Sequence, residues 1–521
     1  MTNDLNIPVE MKKVYLAHTP GHGDYHPHQK VGKRPTLGRR SSSFQSSGPE
    51  SGSETPGGRR DMGLLVPNVR FFLDNKLPMS YFKQDVLRLI HSLRISQWKR
   101  VPMEAAEDLV IKRLSGALTN SIFVVEPPAY VKSAKTTPGI EYPYQAAHAY
   151  QSRPGKLLLR VYGAQSGNLI DRDEELAILE RLSQKEIGPK LLGTFSNGRF
   201  EQYLEARPLT KNDLRDPDTS CQIAKRMREL HDNIPLHRSE RNAGPAVWLN
   251  VDKWLSRAKQ VLEACELKTP GTIERVLHSD FATFVNVTEK YRSWLYNQYG
   301  DWTRLCAQVV FCHNDTQYGN IMRFLPPPGS PLLRPQNEYR QLVVIDFEYS
   351  APNTRGYEIA NHFSEWMNDY HGEKPELLHL DKFPDKESQM RFINEYVEHA
   401  YDTFDEEEAM QRDIDQLVEE VRLWGPAPHL FWGIWAIIQA KVDPEADRLY
   451  REQMDATQGY KFSHENNSGS DEEGEDLSGA DDSFDYFVYS SEKMAVFWNE
   501  LIRLGVVDAS EYKGPKKTIP Y

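Results

Sequence analysis

A short acidic segment in the second half of the chain has the residue types and spacing that phosphoryl transfer would need. It reads Phe311-Cys-His313-Asn-Asp315-Thr-Gln317-Tyr-Gly-Asn320 and follows an apolar, strand-like stretch. In the H-x-D-x4-N spacing of a phosphoryl-transfer loop, the Asp accepts the proton of the attacking hydroxyl and the Asn binds Mg²⁺. The segment therefore predicts that Asp315 is a catalytic base, that Asn320 is a magnesium ligand, and that His313 supports the loop.

A second acidic segment lies downstream, at the end of the apolar run Val343-Val-Ile-Asp346-Phe-Glu348. Asp346 follows Asn320 by 26 residues and has the position of a metal-binding Asp that holds Mg²⁺ against two phosphates. Mg²⁺ prefers hard oxygen ligands, which carboxylate and amide side chains supply. Either segment could match by chance at an ordinary hairpin turn, but the two in this order predict a nucleotide-dependent transferase.

A strand with a cation in its middle should place a positive charge near the phosphates. Arg160 lies within the apolar run Lys156–Tyr162, where a buried cation is costly unless it is paired. We expect it to contact phosphate, with a carboxylate of the next helix as its partner. Glu174 and Glu175 fit this role equally well. The turn at 114–120 has a single glycine and is by itself a weak signal of a phosphate-covering loop.

The elements that must position these residues follow from hydrophobic spacing. Strands are predicted at Asp108–Val125 (two strands and a turn), Lys156–Tyr162, Phe200–Leu204, Gln308–Phe311 and Gln341–Ile345. The last two are expected to pair with each other. Helices are predicted at Ser80–Leu93, Asp171–Ser183, Cys221–Asp232, Ser279–Asn297, Lys386–Phe404, Glu407–Leu423, Leu430–Lys441 and Ser491–Leu504.

The chain divides by composition into a tail and two larger parts. Residues 1–62 are rich in Ser, Gly, Pro and Arg and too poor in apolar residues to form a core, so we expect disorder there. Residues 63–208 alternate strands with one main helix and should form a nucleotide-binding lobe and hinge. Residues 209–521 are mainly helical and should form a catalytic and substrate lobe. An acidic insertion at about 444–482 is expected to be disordered.

Composition also limits the cellular location and the binding partners that we expect. A net charge of −12 argues against a general nucleic-acid binder. The four cysteines have no zinc-like spacing, which favours reduced thiols. No apolar segment typical of a secretory signal occurs at the N-terminus. The most apolar run, Leu430–Ala440, is short of the roughly 20 residues that span a bilayer. We therefore expect a soluble cytoplasmic protein without stable membrane insertion.

Six segments of the chain resemble the choline/ethanolamine kinase family. They read RLSGALTNSIF, LLLRVYG, GRFEQYLEARPL, FCHNDTQYGNIM, VIDFEYSAPNTRGYEIANHFSEW and HLFWGIWAIIQAK, and the resemblance extends from Leu64 to Gly505. It implies an α+β, protein-kinase-like fold with two lobes, a small N-terminal antiparallel-sheet lobe and a larger, mainly helical C-terminal lobe. It also implies ATP and Mg²⁺ as cofactors, and transfer of the γ-phosphate to choline or ethanolamine.

Carried over position by position, the resemblance implies a role for each matching residue. Asp315 would be the base, Asn320 and Asp346 the Mg²⁺ ligands. The nucleotide would contact Ser115, Gly116, Ala117, Leu118, Thr119, Asn120, Ser121, Arg160, Gln202, Tyr203, Leu204, Glu205, Ala206, Arg207, Pro208 and Gln317. Of these, 202–208 would form the hinge beside adenine. The substrate would contact Ala117, Leu118, Thr119, Tyr349, Glu365, Tyr370, Trp432 and Trp435.

The chain departs from the family pattern at two positions. Ala117 stands where a second glycine is usual, and Glu358 replaces the usual Asp. The aromatic substrate positions suit a quaternary ammonium, which has no N–H donor and is held by aromatic faces and a carboxylate. We expect a choline kinase acting at the first step of phosphatidylcholine synthesis from choline. Ethanolamine kinase, dual specificity, an inactive scaffold homologue and a homodimeric state remain open.

Overall fold

A computed structural model describes most of the chain. The described residues are 66–114, 120–129, 154–162, 172–185, 187–401, 407–458 and 484–520. The tail at 1–62, the turn residues 115–119 and the later part of the acidic insertion lie outside them.

Six strands form one sheet in the N-terminal part. They are β1 (Asn68–Val69), β2 (Val110–Leu114), β3 (Asn120–Glu126), β4 (Leu157–Tyr162), β5 (Leu191–Phe195) and β6 (Gly198–Gln202). The order across the sheet is β1-β5-β6-β4-β3-β2. Every neighbouring pair is antiparallel except β1 with β5. The predicted antiparallel sheet is therefore confirmed apart from this edge, where residues before the first helix add a short parallel strand.

Two helices pack with this sheet, α1 (Met79–Ser92) and α2 (Arg172–Gln184). Helix α1 buries Phe82, Val86 and Leu89, which recur every three or four residues and so lie on one face. These side chains join the strand residues Phe123 and Leu159 in one core cluster. Both helices agree with prediction in position. Tyr81, expected on the buried face of α1, is exposed.

Two smaller sheets connect this part with the remainder of the chain. Strand β7 (Ala206–Pro208) pairs with β9 (Ile321–Phe324), which pairs with β10 (Leu342–Val344). Strand β8 (Val309–Cys312) pairs with β11 (Ala351–Thr354). The predicted strands near 308–311 and 341–345 are therefore present, but their predicted pairing is wrong. The four-residue strands β9 and β11 are too short to be recognised, and they take those partners instead.

The C-terminal part is mainly helical, as predicted. Its helices are α3 (Lys211–Arg215), α4 (Pro217–Asn233), α5 (Arg238–Ala243), α6 (Ala246–Lys268), α7 (Thr272–Leu277), α8 (Phe281–Tyr299), α9 (Trp302–Ala307), α10 (Arg355–Glu365), α11 (Lys386–Glu398), α12 (Glu407–Trp424), α13 (Pro426–Gln439), α14 (Pro444–Gln458) and α15 (Tyr486–Arg503). The α+β class with a sheet-containing N-terminal part and a helical C-terminal part is confirmed.

The 23-residue helix α6 was missed in the sequence. Its buried residues Val247, Val251, Trp254, Ala258 and Val261 recur every three or four positions, which is the spacing of an amphipathic helix. It packs against α13 in the main core of the C-terminal part, where large aromatic side chains meet. The spacing was therefore available as a signal, although charged residues interrupt it on the other face.

Helix α14 corrects the predicted disordered insertion, because the first 15 residues of that stretch are helical. Asp443 precedes the helix and accepts a hydrogen bond from the Glu445 main-chain N–H at 2.9 Å. It also accepts one from the Lys268 ammonium at 2.6 Å, and Ala446 is buried against the fold. Capping and contact with α6 therefore order this part, while the acidic run at 459–483 lies outside the described residues.

Helices α13 and α15 pack against each other along their lengths and carry the most apolar sequence of the C-terminal part. No helix among the described residues is both long enough and apolar enough to cross a membrane.

Candidate active site

The predicted catalytic loop follows β8, and side chains of helix α10 hold it in place. The fully buried carboxylate of Glu358 accepts hydrogen bonds from the main-chain N–H groups of His313 at 2.7 Å and Asn314 at 3.0 Å. Asn361 donates its amide to the Asn314 carbonyl at 3.1 Å. Asn314 has a φ of 66°, a left-handed conformation that is uncommon outside glycine. Helix α10 thus fixes the backbone immediately before Asp315.

Glu358, where the family pattern has Asp, reaches a histidine on the opposite side. His231 on α4 contacts the Glu358 carboxylate through Nε2 at 3.3 Å and the Tyr396 hydroxyl through Nδ1 at 2.7 Å. Burial opposes ionisation, but the hydrogen bond and charge of His231 hold the pKa of Glu358 below its usual value. Cys312 lies close enough to complete a set of metal-type ligands. Because the carboxylate already accepts two main-chain N–H groups, we read the cluster as an anchor for the loop.

Removing this anchor should destabilise the protein. Glu358→Ala leaves two buried main-chain donors without a partner, which costs about 1–3 kcal/mol for each group. We expect the free energy of unfolding, measured in denaturant, to fall by about 2–5 kcal/mol, with a parallel loss of turnover because the backbone before Asp315 is released.

The control for this variant is Glu387→Ala, which removes a carboxylate of 84% side-chain exposure from α11. It should change the free energy of unfolding by less than about 0.5 kcal/mol. Equal stability of Glu358→Ala and the control would show that Glu358 does not anchor the loop.

Within the loop, the predicted base and the first predicted metal ligand are in direct contact. The Asn320 amide nitrogen donates to the Asp315 carboxylate at 2.7 Å and to the Asp315 carbonyl at 3.0 Å. This orientation leaves the Asn320 amide oxygen as an acceptor for a cation. Gln317 begins the short helical turn Tyr318–Asn320, and its amide oxygen accepts the Gly319 N–H at 2.6 Å. Its NH₂ group therefore remains as the donor available to a nucleotide.

The second acidic segment joins the first through main-chain contacts. The Ile345 N–H donates to the Asn320 carbonyl at 2.9 Å, and His313 Nε2 contacts the Ile345 carbonyl at 2.9 Å. His313 Nδ1 in turn accepts the Asp315 N–H at 3.2 Å. Burial lowers the pKa of His313, which fits a neutral ring that donates from Nε2 and accepts at Nδ1. His313 thus connects the two loops, and Asp346 follows with a φ of 66°.

The site accumulates negative charge around Asp315. Burial raises the pKa of Asp315 well above its usual value, and the carboxylates of Glu365, Asp346 and Glu348 raise it further. Glu348 was missed as a functional candidate, although it stands two residues after Asp346 in the same acidic segment. Crowded carboxylates of this kind, with a side-chain amide oxygen beside them, form a set of hard oxygen donors suited to Mg²⁺. The donor chemistry therefore fits a bound divalent cation.

Arg160 has partners that the sequence analysis did not predict. Its guanidinium donates to the Asp346 carboxylate at 3.1 Å and lies 3.8 Å from the Glu201 carboxylate. Glu201 also accepts a hydrogen bond from Arg199. The expected partners Glu174 and Glu175 lie on α2, but their side chains are outside the described residues.

The register of the sheet explains these contacts. Arg160 on β4 is directly opposite Arg199 on β6, so Glu201 is its diagonal neighbour on the same face. Burial opposes ionisation of Glu201, but the two arginines hold its pKa below the usual value. The alternation of Arg199 and Glu201 was visible in the sequence, whereas the register that brings them to Arg160 was not.

The remaining predicted nucleotide residues fall on two segments. Residues 115–119, which include Ser115, Gly116, Ala117, Leu118 and Thr119, lie outside the described residues. Asn120 and Ser121 begin β3, opposite Tyr162 and Val161 at the end of β4. The side chain of Asn120 is also outside the described residues.

The predicted hinge at 202–208 connects the six-stranded sheet to the helical part. Gln202 ends β6 and donates its N–H to the Lys190 carbonyl at 2.9 Å, and Leu204 accepts the Ala206 N–H at 2.9 Å. The Glu205 carboxylate pairs with Lys156 at 3.0 Å. The ring of Tyr203 lies beneath the same ammonium, and Arg207 pairs with Asp213. Strand β7, which ends at Pro208, then enters the three-stranded sheet.

We call the cluster of the described members of the predicted substrate set the aromatic box; it comprises Tyr349, Glu365, Tyr370, Trp432 and Trp435, while residues 117–119 lie outside the described residues. Trp432 and Trp435 lie on one face of α13 with ring centroids 5.5 Å apart. Tyr349 is edge-on to Trp432 at 5.3 Å and accepts the indole N–H of Trp435 at 2.8 Å. The Tyr370 hydroxyl donates to the buried Glu365 carboxylate at 2.8 Å. These contacts fix the rings of Tyr349, Trp432 and Trp435 relative to one another and hold Tyr370 against the Glu365 carboxylate.

Helix α15 supplies two further aromatic residues to this box. The Tyr486 ring lies 5.9 Å from that of Trp435, and the Tyr489 hydroxyl interacts with that of Tyr370. Only loose similarity in the sequence pointed to them, because the acidic insertion separates them from the other motifs. The Asn361 side-chain oxygen, on α10, accepts the Trp432 indole N–H at 2.8 Å and so ties the box to the helix that anchors the loop.

Comparison with known proteins identifies the family of this chain. The family model described as choline/ethanolamine kinase matches residues 111–498, well over half of the chain. The chain belongs to the choline/ethanolamine kinase family. A second model, described as the choline kinase N terminus, matches residues 61–107. The resemblance noted in the sequence is thereby confirmed, and it covers both the sheet and the helical part.

Curated relatives within the choline/ethanolamine kinase family carry both substrate names. The chain is 36% identical to choline kinase of Saccharomyces cerevisiae over 498 residues, covering 86% of this chain and 81% of the relative. It is 34% identical to choline kinase of Schizosaccharomyces pombe, with 83% and 92% covered. It is 32% identical to ethanolamine kinase of Saccharomyces cerevisiae over 469 residues, with 85% and 81% covered.

A solved structure supports the family fold. The choline kinase of Cryptosporidium parvum has a TM-score of 0.50 at 21% identity, and the match covers 72% of this chain and 97% of that one. At this level of identity the likeness concerns the fold alone. It confirms the predicted protein-kinase-like arrangement for this member of the choline/ethanolamine kinase family.

Proposed function

We propose that this chain is a choline kinase, which transfers the γ-phosphate of ATP to the hydroxyl of choline and gives phosphocholine, the first step of phosphatidylcholine synthesis from choline. The observation that carries the proposal is an aromatic box with a buried carboxylate, Glu365, beside the loop that presents Asp315. The charge of Glu365 raises the pKa of Asp315, which supports a substrate site close to the proposed base.

The chemistry of the box favours a quaternary ammonium group. Such a group has no N–H donor and is bound by aromatic faces, each worth about 0.5–2 kcal/mol, and by a nearby negative charge. The indole N–H groups of Trp432 and Trp435 are already bonded to Asn361 and Tyr349. The rings therefore offer the ligand their faces and edges in a fixed arrangement, which lowers the entropy cost of binding.

In the proposed reaction, Asp315 accepts the proton of the substrate hydroxyl as that oxygen attacks the γ-phosphate. Asn320 and Asp346 would hold Mg²⁺, which neutralises charge on the phosphates when it is bound. Arg160 would add a positive charge to the phosphate groups through its free N–H donors, while Glu201 and Asp346 hold it in position. Gln317 would contact the nucleotide from the loop side. The hinge at 202–208 would contact adenine.

Ethanolamine is the alternative substrate, and one relative of similar coverage carries that name. A primary ammonium has three N–H donors and is best held by several acceptors. Among the described residues of the box, Glu365 is the evident carboxylate, whereas Tyr349, Tyr370, Trp432 and Trp435 are aromatic. This balance favours the substrate with three methyl groups.

Truncating one wall of the box should harm choline more than ethanolamine. Trp432→Ala removes an aromatic face, so we expect KM for choline to rise about tenfold, equivalent to roughly 1.4 kcal/mol. The rise for ethanolamine should be smaller, because its N–H groups can bond Glu365. Steady-state kinetics with both substrates at saturating Mg-ATP measures the two effects.

The matched control is Trp294→Ala on α8, which truncates a half-buried tryptophan that stacks on Tyr291. It should leave both KM values within about twofold, even if the melting temperature falls. If Trp432→Ala raises both KM values equally, the box does not discriminate by aromatic contact.

A coupled assay of ADP release tests the proposal itself. The purified chain with Mg-ATP should release ADP at a rate that depends on added choline, and removal of Mg²⁺ by a chelator should abolish the rate. Asp315→Asn should release no ADP above background under the same conditions. Choline-independent ADP release, or none with intact and folded protein, would contradict the proposed activity.

A further inference from the structure

A buried lysine lies behind the aromatic box. Lys493 on α15 has no exposed surface, and its ammonium has no hydrogen-bond partner. The nitrogen lies 5.2 Å from the centroid of the Tyr489 ring, which it faces as a cation–π contact. Burying an ammonium without a partner is costly, so the buried position of Lys493 needs an explanation. The sequence analysis did not single it out.

The groups that face Lys493 from neighbouring elements include one carboxylate. Glu365 on α10 is the acidic group whose charge acts on Lys493, and each affects the titration of the other. From α13, His429 is buried, and burial together with Lys493 keeps its pKa well below the usual value, so it stays neutral. Tyr370 and Tyr489 complete the cluster as neutral hydroxyls. On α7, His278 contacts the Ser491 carbonyl instead.

We propose that the buried cluster of Lys493, the Tyr489 ring 5.2 Å from its ammonium, Tyr370 and the Glu365 carboxylate that Tyr370 contacts holds one proton on its lysine–carboxylate pair in the free enzyme and releases it to solvent when the substrate ammonium group binds. This inference rests on the proposed function, because it assumes that a cationic substrate enters the aromatic box. The bound substrate is a permanent cation, and beside Glu365 it supplies the positive charge that the carboxylate needs. A second cation at the same carboxylate would be repelled in this buried setting, so Lys493 becomes neutral.

The titration behaviour of the two groups agrees with this geometry. Burial lowers the pKa of Lys493, with Glu365 acting in the opposite direction. Burial also raises the pKa of Glu365, with Lys493 and the Tyr370 hydroxyl opposing the rise. When an acid with a raised pKa lies beside a base with a lowered pKa, the two groups hold their shared proton more weakly than an ordinary lysine holds its own. Lys493 is thus a positioning residue that acts through Glu365 and couples cation binding to pH.

The sign of the pH effect follows from the proton count. The free pair holds one proton and the complex holds none, so binding becomes stronger as the pH rises. The dissociation constant for choline should fall up to about tenfold per pH unit while the free pair is protonated, and should level off above that range. Ethanolamine, which is also a cation, should show the same direction.

Calorimetric titration of choline into the full-length protein tests this directly. The heat is measured in two buffers of different ionisation enthalpy from about pH 6 to about pH 9, and the difference gives the number of protons released. For the wild type we expect about one proton per choline in the range where affinity rises with pH. If choline binds without proton release at any pH, the inference is overturned while the proposed function stands. If choline does not bind, both are overturned.

Two variants separate charge from structure. Lys493→Arg keeps a cation that cannot lose its proton, so release near neutral pH should disappear and the choline dissociation constant should rise at least about tenfold. Lys493→Met leaves Glu365 as the only proton acceptor of the pair. As the pH is raised, proton release on choline binding should therefore cease at a lower pH than in the wild type. Its unbranched apolar side chain suits the buried position, which protects folding.

The control is Lys517→Met, which removes a partly exposed lysine whose ammonium pairs with Glu492, the residue before Lys493 on α15. Its profile of proton release against pH should match that of the wild type. Profiles that coincide for the wild type, Lys493→Arg and Lys493→Met would overturn the assignment of the proton to this pair.

Discussion

Asp315→Ala should lower kcat by roughly 10²–10⁴-fold, the usual contribution of a positioned general base. The side chain is buried, accepts a hydrogen bond from Asn320 and lies among other carboxylates, so its removal takes away the acceptor for the hydroxyl proton. Nucleotide affinity should change little, because Arg160 and the hinge remain. Single-turnover kinetics with saturating choline, together with nucleotide binding by calorimetry, measures the two quantities separately.

Asp315→Asn is the stricter form of this experiment. It keeps the shape of the side chain and an oxygen that Asn320 can reach, while removing the charge and the basicity. A similar loss of kcat in both variants assigns the effect to proton acceptance and charge. Turnover near that of the wild type in folded Asp315→Asn would refute the assignment of the base.

Asp346→Asn should remove most activity, by at least about a hundredfold, because the residue that we propose as a magnesium ligand and that pairs with Arg160 loses its charge. Raising the Mg²⁺ concentration should recover part of the rate, since a weakened site fills by mass action. The dependence of rate on free Mg²⁺ measures this effect. An active variant whose Mg²⁺ dependence equals that of the wild type would contradict the role.

The control for Asp346→Asn is Asp232→Asn, which makes the same chemical change at the end of α4. Asp232 pairs with Arg228 on the surface and has a half-exposed side chain. Exposed ion pairs of this kind contribute about 0–1 kcal/mol to stability, so neither the melting temperature nor the Mg²⁺ dependence should change much.

Sequence reasoning could predict contacts between residues that lie within a few positions of each other in the chain. Asp315 and Asn320 are five residues apart and meet through a local turn, so their spacing predicts their contact. Trp432 and Trp435 are three residues apart within the predicted helix Leu430–Lys441, a spacing that puts them on one face, and their rings are in contact. Both predictions depend only on local geometry. Several amphipathic helices of the C-terminal part were predicted for the same reason, although the longest of the described helices, α6, was missed.

Contacts set by pairing register were beyond sequence reasoning. The register of β4 with β6 brings Glu201 to Arg160, a contact that the sequence did not suggest, whereas pairing with Glu174 or Glu175 stays a prediction because their side chains lie outside the described residues. The short strands β9 and β11 gave no recognisable pattern, so β8 and β10 were wrongly paired with each other. The wrong pairing arises because a short strand gains its partner from the tertiary fold.

Burial of charged residues was likewise hidden from the sequence. Lys493 stands in a helical pattern where a lysine usually faces solvent, and only the packing of α15 against α13 shows that it is enclosed. Glu358 was noted as a departure from the family pattern, yet its two main-chain partners and His231 became evident only in three dimensions. Functional side chains of this kind require the folded structure.

A competition experiment tests the central claim most directly. Choline and ethanolamine at equal concentration are incubated with the wild-type protein, Mg²⁺ and γ-labelled ATP, and the two phosphorylated products are separated and counted at low conversion. The ratio of the products equals the ratio of the two kcat/KM values. We predict that phosphocholine is the major product, at least about tenfold over phosphoethanolamine, consistent with one or more cation–π contacts. A majority of phosphoethanolamine would contradict the assignment of choline as the substrate.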